Sequence, residues 1–433
     1  MNVKTTKTLV MEKWVNLGKC IARDAEGKAI FVPYVCPGEK VVVEILKRKG
    51  DYEQGRVREF LSTAADRIQP VCEHFGECGG CSFQHIDYAQ EIRIKEQLLG
   101  EIFRRPVQIT ASPQMLGYRN KATFHCRYAQ NRLFLGFLKS NSNEICLIQY
   151  CHLLPKAINE LKQIMTEILS TIQGLEDIVF RVSKDQNAIL VNILGDKAMK
   201  GMVVQKLDHA KAFILAYMGN QGIQECIFYY NSQHIILDWL STQPYLTATI
   251  HSKTYHIGAN DFFQTNYGIA ELIFQTMRTI IPPSDYLLDA YCGNLVLGIQ
   301  LSDHAQHIIG LEISQDALAR AKENLHHNQI QHAQLMNYDL SQALPAFHDL
   351  QGKSCILVID PPREGIGKTV ETLDHLGFQQ IVYLACDPMT AKRDCQKLTH
   401  YAIQHIQGYD MFPRTYHVEC LIVLKLVLAT MLL

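Results

Sequence analysis

The apolar run Ile381-Val382-Tyr383-Leu384-Ala385 ends in Cys386-Asp387-Pro388. Proline cannot continue a central strand, and the residue before it avoids the helical region. Cys386 is therefore expected where a strand leaves its sheet, which in open α/β sheets is the edge that binds ligands. A thiol there is either a small packed side chain or a nucleophile. Glu419 lies in a second apolar run, HVECLIVL. A carboxylate in such a run is costly to bury unless it is paired or transfers protons. Cys386 and Glu419 thus offer a nucleophile and a base at one strand-end face.

A second constellation is acidic. LLDAYCGNLVLGIQL reads as strand, acid, turn and helix, and Glu312 ends the next strand at the spacing where ribose hydroxyls are held. Asp339 and Asp360 end the two strands after that, so that with Asp289 four acids fall at strand ends in register. The turn has Gly293 but no GxGxxG, which points to an adenosine-type cofactor without a pyrophosphate; S-adenosylmethionine fits. Asp360-Pro361-Pro362 stiffens the backbone at the mouth of that pocket. Arg363 follows where an amino-group methyltransferase needs an aromatic side chain, which argues against that chemistry.

A third constellation is Cys72-x5-Cys78-x2-Cys81, with Gly79-Gly80 letting backbone amides approach the sulfurs. Zinc sites usually show paired C-x2-C units. One such unit, with a fourth ligand from afar, tilts the reading towards an iron–sulfur cluster and leaves zinc as the alternative.

Groups so far apart in sequence need a sheet to bring them together. From residue 256 the chain alternates strand and helix patterns (YLLDAYCG, HIIGLEIS, DALARAKENLHHN, CILVIDPPR, QIVYLACDP, TAKRDCQKLTH) and closes on HVECLIVLKL. That predicts an α/β domain over 256–433 with a mostly parallel, doubly wound sheet. Residues 1–63 read as short strands with Pro37-Gly38 as a turn, a small β-barrel. Residues 64–255 hold the cysteine loop, an amphipathic helix and strand-type runs, a central α+β domain.

The chain's 433 residues allow two or three domains, and 47% hydrophobic with 20% charged residues is ordinary for a soluble globular protein. Residues 1–60 carry 12 Lys and Arg against 8 Asp and Glu in a chain of net charge −1, a weak pointer to an anionic partner near the N-terminus. Fourteen cysteines without an export signal point to a reducing cytoplasm and to metal or catalytic roles. No apolar run of about 18 residues exists, so no membrane span is expected. The closing LVLATMLL reads as the end of a last strand plus a packed tail.

Together these motifs resemble the RNA uracil-5-methyltransferase family, in the branch with an N-terminal TRAM barrel of the OB type, a [4Fe–4S] cluster and a Rossmann-like class I methyltransferase domain. FVPYVCPGEKVVVEI is similar to the TRAM barrel, an RNA-binding module. The resemblance implies Cys72, Cys78, Cys81 and Cys151 as cluster ligands. FFQTN is similar to the family's glutamine motif, which implies Gln264 at the cofactor. DAYCG implies cofactor positions at Tyr291 and Gly293, followed by Val296, Glu312, Asp339 and Asp360. ACDPMTAKRD implies Cys386 as nucleophile, and DMFPRTYHVE implies Glu419 as general base. The implied enzyme takes S-adenosylmethionine, acts as a cytoplasmic monomer, and serves rRNA processing by making 5-methyluridine in RNA, 23S ribosomal RNA above transfer RNA.

Departures from the family pattern at three places, the cofactor loop, Asp387 and Ala385, carry expectations. Leu295 replaces a second loop glycine and Val296 an asparagine. Leucine disfavours positive φ and is expected to crowd the cofactor, so that Leu295→Gly would tighten its binding. Asp387 replaces an asparagine and is expected to raise the thiol's pKa. Ala385 replaces a serine, which looks tolerable. The rival reading is a degenerate methyltransferase fold that only binds RNA; the presence of Cys386, Glu419, Gln264 and Asp360 favours the enzyme.

Overall fold

The computed structural model describes residues 5–230, 235–237, 244–343, 347 and 352–427. The sequence's apolar tail falls mostly on 428–433, outside the described residues; the last described strand is Glu419–Leu426.

The N-terminal segment forms a six-stranded sheet in the order Thr6–Val10, Lys40–Arg48, Tyr52–Ser62, Ala29–Pro33, Lys19–Arg23, Lys13–Val15. Alternating burial along Ala29–Pro33 and Lys40–Arg48 sends Ile30, Val32, Val41 and Val43 inward. That core is completed from outside the segment by Phe83, Ile86 and Ile94. Part of the local basic surplus is paired internally: Lys7 meets Asp24 and Glu53, and Arg56 and Arg58 meet Glu44.

A seven-stranded sheet follows, mostly antiparallel, running from Ile145–Leu147 at one edge to Ile235–Leu237 at the other. Helices Lys156–Ile168 and Lys200–Asn220 pack on it through Ile158, Leu161, Met165, Val203, Leu207 and Ile214.

The third sheet has eight strands in the order Ala333–Met336, Ala305–Leu311, Ser284–Ala290, Cys355–Ile359, Gln380–Ala385, Glu419–Leu426, Tyr401–Tyr409, Ile109–Thr110. The first five are mutually parallel. Cys355–Ile359 and Gln380–Ala385 are buried at every position, as strands covered on both faces must be. Ser284–Ala290 pairs with both Ala305–Leu311 and Cys355–Ile359, so strand order reverses across it and a crevice opens at its carboxyl end. Glu419–Leu426 inserts antiparallel between Gln380–Ala385 and Tyr401–Tyr409, which turns its first residue towards the same edge.

Helix Tyr88–Phe103 links the parts. It is capped by Asp87, packs against helix Pro388–Lys397, and leads to Ile109–Thr110 at the sheet's far edge. Buried on it, Lys95 pairs with Glu91 at 2.7 Å and with Asp410 at 2.6 Å, which ties the helix to the loop entering the last strand. Ser82 and Phe83 donate their amides to the Arg414 carbonyl at 2.8 and 3.1 Å, pinning the cysteine loop to the same loop.

Candidate active site

The parallel strands end level. Ala290 is in register with Leu311 and Ile359, and Leu311 with Met336. Glu312 and Asp360 therefore follow immediately at the carboxyl edge, and Asp339 three residues past its strand. Ala385 pairs with Cys420, which makes Cys386 and Glu419 the next residues on two adjacent antiparallel strands.

Cys386 sits at the turn from strand Gln380–Ala385 into helix Pro388–Lys397, with Pro388 in the first turn, where its missing N–H costs nothing. Burial pushes the thiol up to about 11; Glu419 adds to the rise, while the nearby Arg363 guanidinium opposes it. Asp387 is not the cause expected from the sequence. Its carboxylate accepts the Thr390 amide at 2.9 Å and caps the helix, so it serves the turn rather than the thiol.

Glu419 is 6% exposed. Burial first and then Asp360 push its carboxyl up to about 8, against a pull down from Arg363. Desolvation alone raises Asp360 to about 7. His417 is driven down to about 4 by burial and then by Arg363, so its imidazole is neutral at physiological pH. A half-charged cluster of thiol, two carboxyls, one guanidinium and a neutral imidazole is an arrangement for moving protons near neutral pH.

The acids do unequal work. Asp289 is fully buried, accepts the Gly298 amide at 2.7 Å, and leaves its other oxygen without a partner. Glu312 gathers the amides of Gly293, Ile313 and Ser314 at 2.8–3.0 Å, which shapes the loop beside the strand end. Asp339 takes the Ser341 amide and hydroxyl at 2.9 and 2.5 Å, at the start of helix Leu340–Ala343. Gln264 is half-buried, and its backbone carbonyl accepts from the Asn120 side-chain amide at 2.9 Å.

The loop after Ala290 alternates through the left-handed region, with φ of 61° at Tyr291, 50° at Gly293 and 59° at Leu295. Alternation of this kind turns backbone amides to one side. Leu295 turns inward from this loop. Its side chain is fully buried in the core, and Gly298 and Gly310 leave room for it: a Cβ on either would stand 2.9 or 2.7 Å from its Cδ1. Packing thus offsets the unfavourable backbone, and the side chain's bulk lies in the core under the loop. Val296 opens the short helix Val296–Gln300 and is half-buried.

Cys72, Cys78, Cys81 and Cys151 line one cavity of about 500 Å³. The Gly80 amide donates to the Cys78 sulfur at 3.4 Å and the Gln84 amide nitrogen to the Cys81 sulfur at 3.3 Å. A Cβ on Gly79 would come within 3.0 Å of the Leu138 carbonyl, so this loop passes close to the central sheet. Among the described residues, the group of three whose ligand atoms all fall within 4.8 Å of one another is instead Asp374, His375 and His400. It lies at the opposite end of the sheet, and Thr399 and His400 already engage its carboxylate.

Arg363 and His417 line the cysteine cavity and also a second one, of about 420 Å³, that opens on Cys386. From sequence, Arg363 served only to exclude an amino-group substrate. The available signal was a cation on a proline-stiffened strand end. The pairing of Lys95 with Asp410 had none, since the two are 315 residues apart in the chain.

No described helix is long and apolar enough to cross a membrane. The fold is similar to the crystal structure of the Pyrococcus abyssi tRNA (uracil-54, C5)-methyltransferase in complex with S-adenosyl-L-homocysteine, with a TM-score of 0.74 and 21% identity over 96% of this chain and 99% of that one. Curated relatives include uncharacterised RNA methyltransferases of Chlorobaculum tepidum, 28% identical over 93% of this chain and 92% of the relative, and of Thermotoga maritima, 26% identical over 96% and 98%. The pattern of the family described as tRNA (Uracil-5-)-methyltransferase matches residues 85–427, which takes in the strand-end acids, Cys386 and Glu419. The chain therefore belongs to the tRNA (uracil-5-)-methyltransferase family and is an S-adenosylmethionine-dependent RNA methyltransferase.

Proposed function

We propose that this protein methylates carbon 5 of a uridine in 23S ribosomal RNA by covalent catalysis through Cys386. The observation that carries the reading is the meeting of Cys386 and Glu419 at one sheet edge, in electrostatic contact with each other and with Asp360 and Arg363. Carbon 5 of uracil is a weak nucleophile. Addition of the Cys386 thiolate to carbon 6 moves the double-bond electrons towards carbon 5, which attacks the sulfonium methyl group and releases S-adenosylhomocysteine. The Glu419 carboxylate then takes the carbon-5 proton. The electrons of that C–H bond restore the 5,6 double bond and expel the thiolate. Arg363 beside the sulfur favours the thiolate that burial opposes.

Gln264, Tyr291, Gly293, Val296, Glu312, Asp339 and Asp360 are proposed to hold S-adenosylmethionine. The N-terminal sheet over 1–63 is proposed as the TRAM-type RNA module, 64–255 as the iron–sulfur domain, which lends strand Ile109–Thr110 to the catalytic sheet, and 256–433 as the catalytic domain. Cys72, Cys78, Cys81 and Cys151 are proposed to hold a [4Fe–4S] cluster. Four thiols round one cavity, with two N–H donors on their sulfurs, fit such a group. A lone zinc ion with bonds of about 2.3 Å gathers its sulfurs to within about 4 Å, and no three of these thiols stand within 4.8 Å of one another. Bound there, the cluster would supply a redox-active crosslink between the cysteine loop and Cys151. Iron, sulfide and electron-spin measurements on anaerobically purified protein test it; one zinc per chain would overturn it.

The same reaction on transfer RNA is the second reading, favoured by the fold likeness to the Pyrococcus abyssi enzyme. Mapping 5-methyluridine in ribosomal and transfer RNA from cells with and without the protein separates the two. A 5-fluorouridine RNA with S-adenosylmethionine should trap a protein–RNA adduct that Cys386→Ala lacks. An adduct of unchanged yield in that variant overturns the covalent role.

A further inference from the structure

The cavity of about 420 Å³ at Cys386 is not enclosed by the catalytic sheet alone. Tyr416 and His417, with ring centroids 4.1 Å apart, form one wall. Asn16 and Leu17 reach it from the N-terminal sheet. Leu17 is 55% exposed, and its backbone is left-handed, with φ 65° and ψ 25°. A single exposed leucine is ordinary on a protein surface. A leucine held in a strained conformation over the nucleophile's cavity is not, because such strain persists only where its surroundings impose it.

The surroundings here do impose it. Gly18, at φ 64°, lies so close to the cysteine loop that an added Cβ would stand 2.8 Å from the Ser82 Cβ and 3.4 Å from the Phe83 ring. Trp14, two residues before the turn, packs edge-on against Phe83 at 5.6 Å. Ser82 and Phe83 are held in turn by the Arg414 carbonyl, on the loop that carries Tyr416 and His417. The turn bearing Leu17 is thus in register with the catalytic loop through short, buried contacts.

A base in a paired or stacked strand must swing out to reach a half-buried thiol, and enzymes that do this often fill the gap with an apolar side chain. We propose that Leu17 is that side chain: a positioning residue that wedges into the RNA stack while the target base enters the cavity between it and Tyr416–His417. The inference rests on the uridine reading above. It gives the N-terminal sheet a part in base extrusion beyond holding the RNA.

The test compares two RNA probes carrying the mapped uridine, a hairpin that keeps it stacked and a linear oligonucleotide of the same flanking sequence that cannot pair. Leu17→Gly removes the wedge and also relaxes the left-handed backbone, so the protein is expected to fold. The ratio of kcat/KM on hairpin to that on linear RNA should fall about tenfold in Leu17→Gly, and Leu17→Met should restore it. A ratio equal to that of the parent protein, or no rescue by methionine, overturns the wedge. Absence of 5-methyluridine with the parent protein on both probes overturns the uridine reading instead, and the wedge with it.

Discussion

Replacing Glu419 by glutamine separates the chemistry of the site from its cost to the fold. The carboxyl is 6% exposed and is raised from its ordinary 4.5 to about 8, chiefly by burial. A rise of that size corresponds to roughly 5 kcal/mol against the ionised form. The folded state binds this proton more tightly than the unfolded state, so stability is fully present below pH 4.5. It declines as pH rises towards 8 and is lost above it. Glutamine has a similar shape and no charge to bury. The melting temperature of Glu419→Gln minus that of the parent should therefore grow with pH between 5 and 8 and level off beyond. With local relaxation taking up part of the cost, a gap on the order of 5–10 °C is expected at alkaline pH. Activity should move the other way. Glutamine cannot take the carbon-5 proton, so turnover should fall about 10²- to 10⁴-fold while a methylated protein–RNA adduct accumulates, visible by mass. In the parent, the rate should climb as pH rises through about 8, where the carboxylate forms. A stability gap independent of pH, or normal turnover without a trapped adduct, would refute the assignment of this buried carboxyl as the base.

Two further substitutions probe the frame around the site. Leu295→Gly relieves a left-handed leucine, worth about 1–2 kcal/mol, but empties a buried position of a kind that costs about 2–5 kcal/mol. A net loss is expected, with no gain in S-adenosylhomocysteine affinity; calorimetry and thermal unfolding check both, and tighter binding would support the view of a crowded cofactor. Lys95→Met leaves the buried Asp410 without its cation and Glu91 with only the more distant Arg414, at 3.7 Å. Urea unfolding should show a loss of about 3–5 kcal/mol, and an unchanged midpoint would show that the triad contributes little.

The chemistry-bearing groups were legible because strand ends write themselves into sequence. An apolar run that stops at an acid, or at a cysteine before proline, marks the carboxyl edge of a parallel sheet. Cys386, Glu312 and Asp360 could be named from that pattern, and Glu419 from a charge inside an apolar run; Asp339, expected to end its strand, falls three residues beyond Met336. Local pattern also told helix from strand through the last domain, since burial on both faces leaves a continuous apolar run. The reach of Gln264 and Cys151 came from resemblance alone.

Only the tertiary structure decided how those groups act on one another. The insertion of Glu419–Leu426 antiparallel beside Gln380–Ala385 sets the carboxyl against the thiol, and strand order is a long-range choice with no local signature. The direction of the Leu295 side chain was likewise invisible: a positive φ is unfavourable in isolation, yet Gly298 in the following helix and Gly310 on the neighbouring strand make a hole that rewards it. Asp387 was misjudged for the same reason, because sequence proximity to a thiol says nothing of where a carboxylate points once a helix amide competes for it. Residue types and their spacing thus determine which reactions this chain can attempt. Burial and long-range pairing set the protonation states, the shared cavity and the strained leucine above it, because desolvation and packing depend on neighbours that the chain meets only after folding.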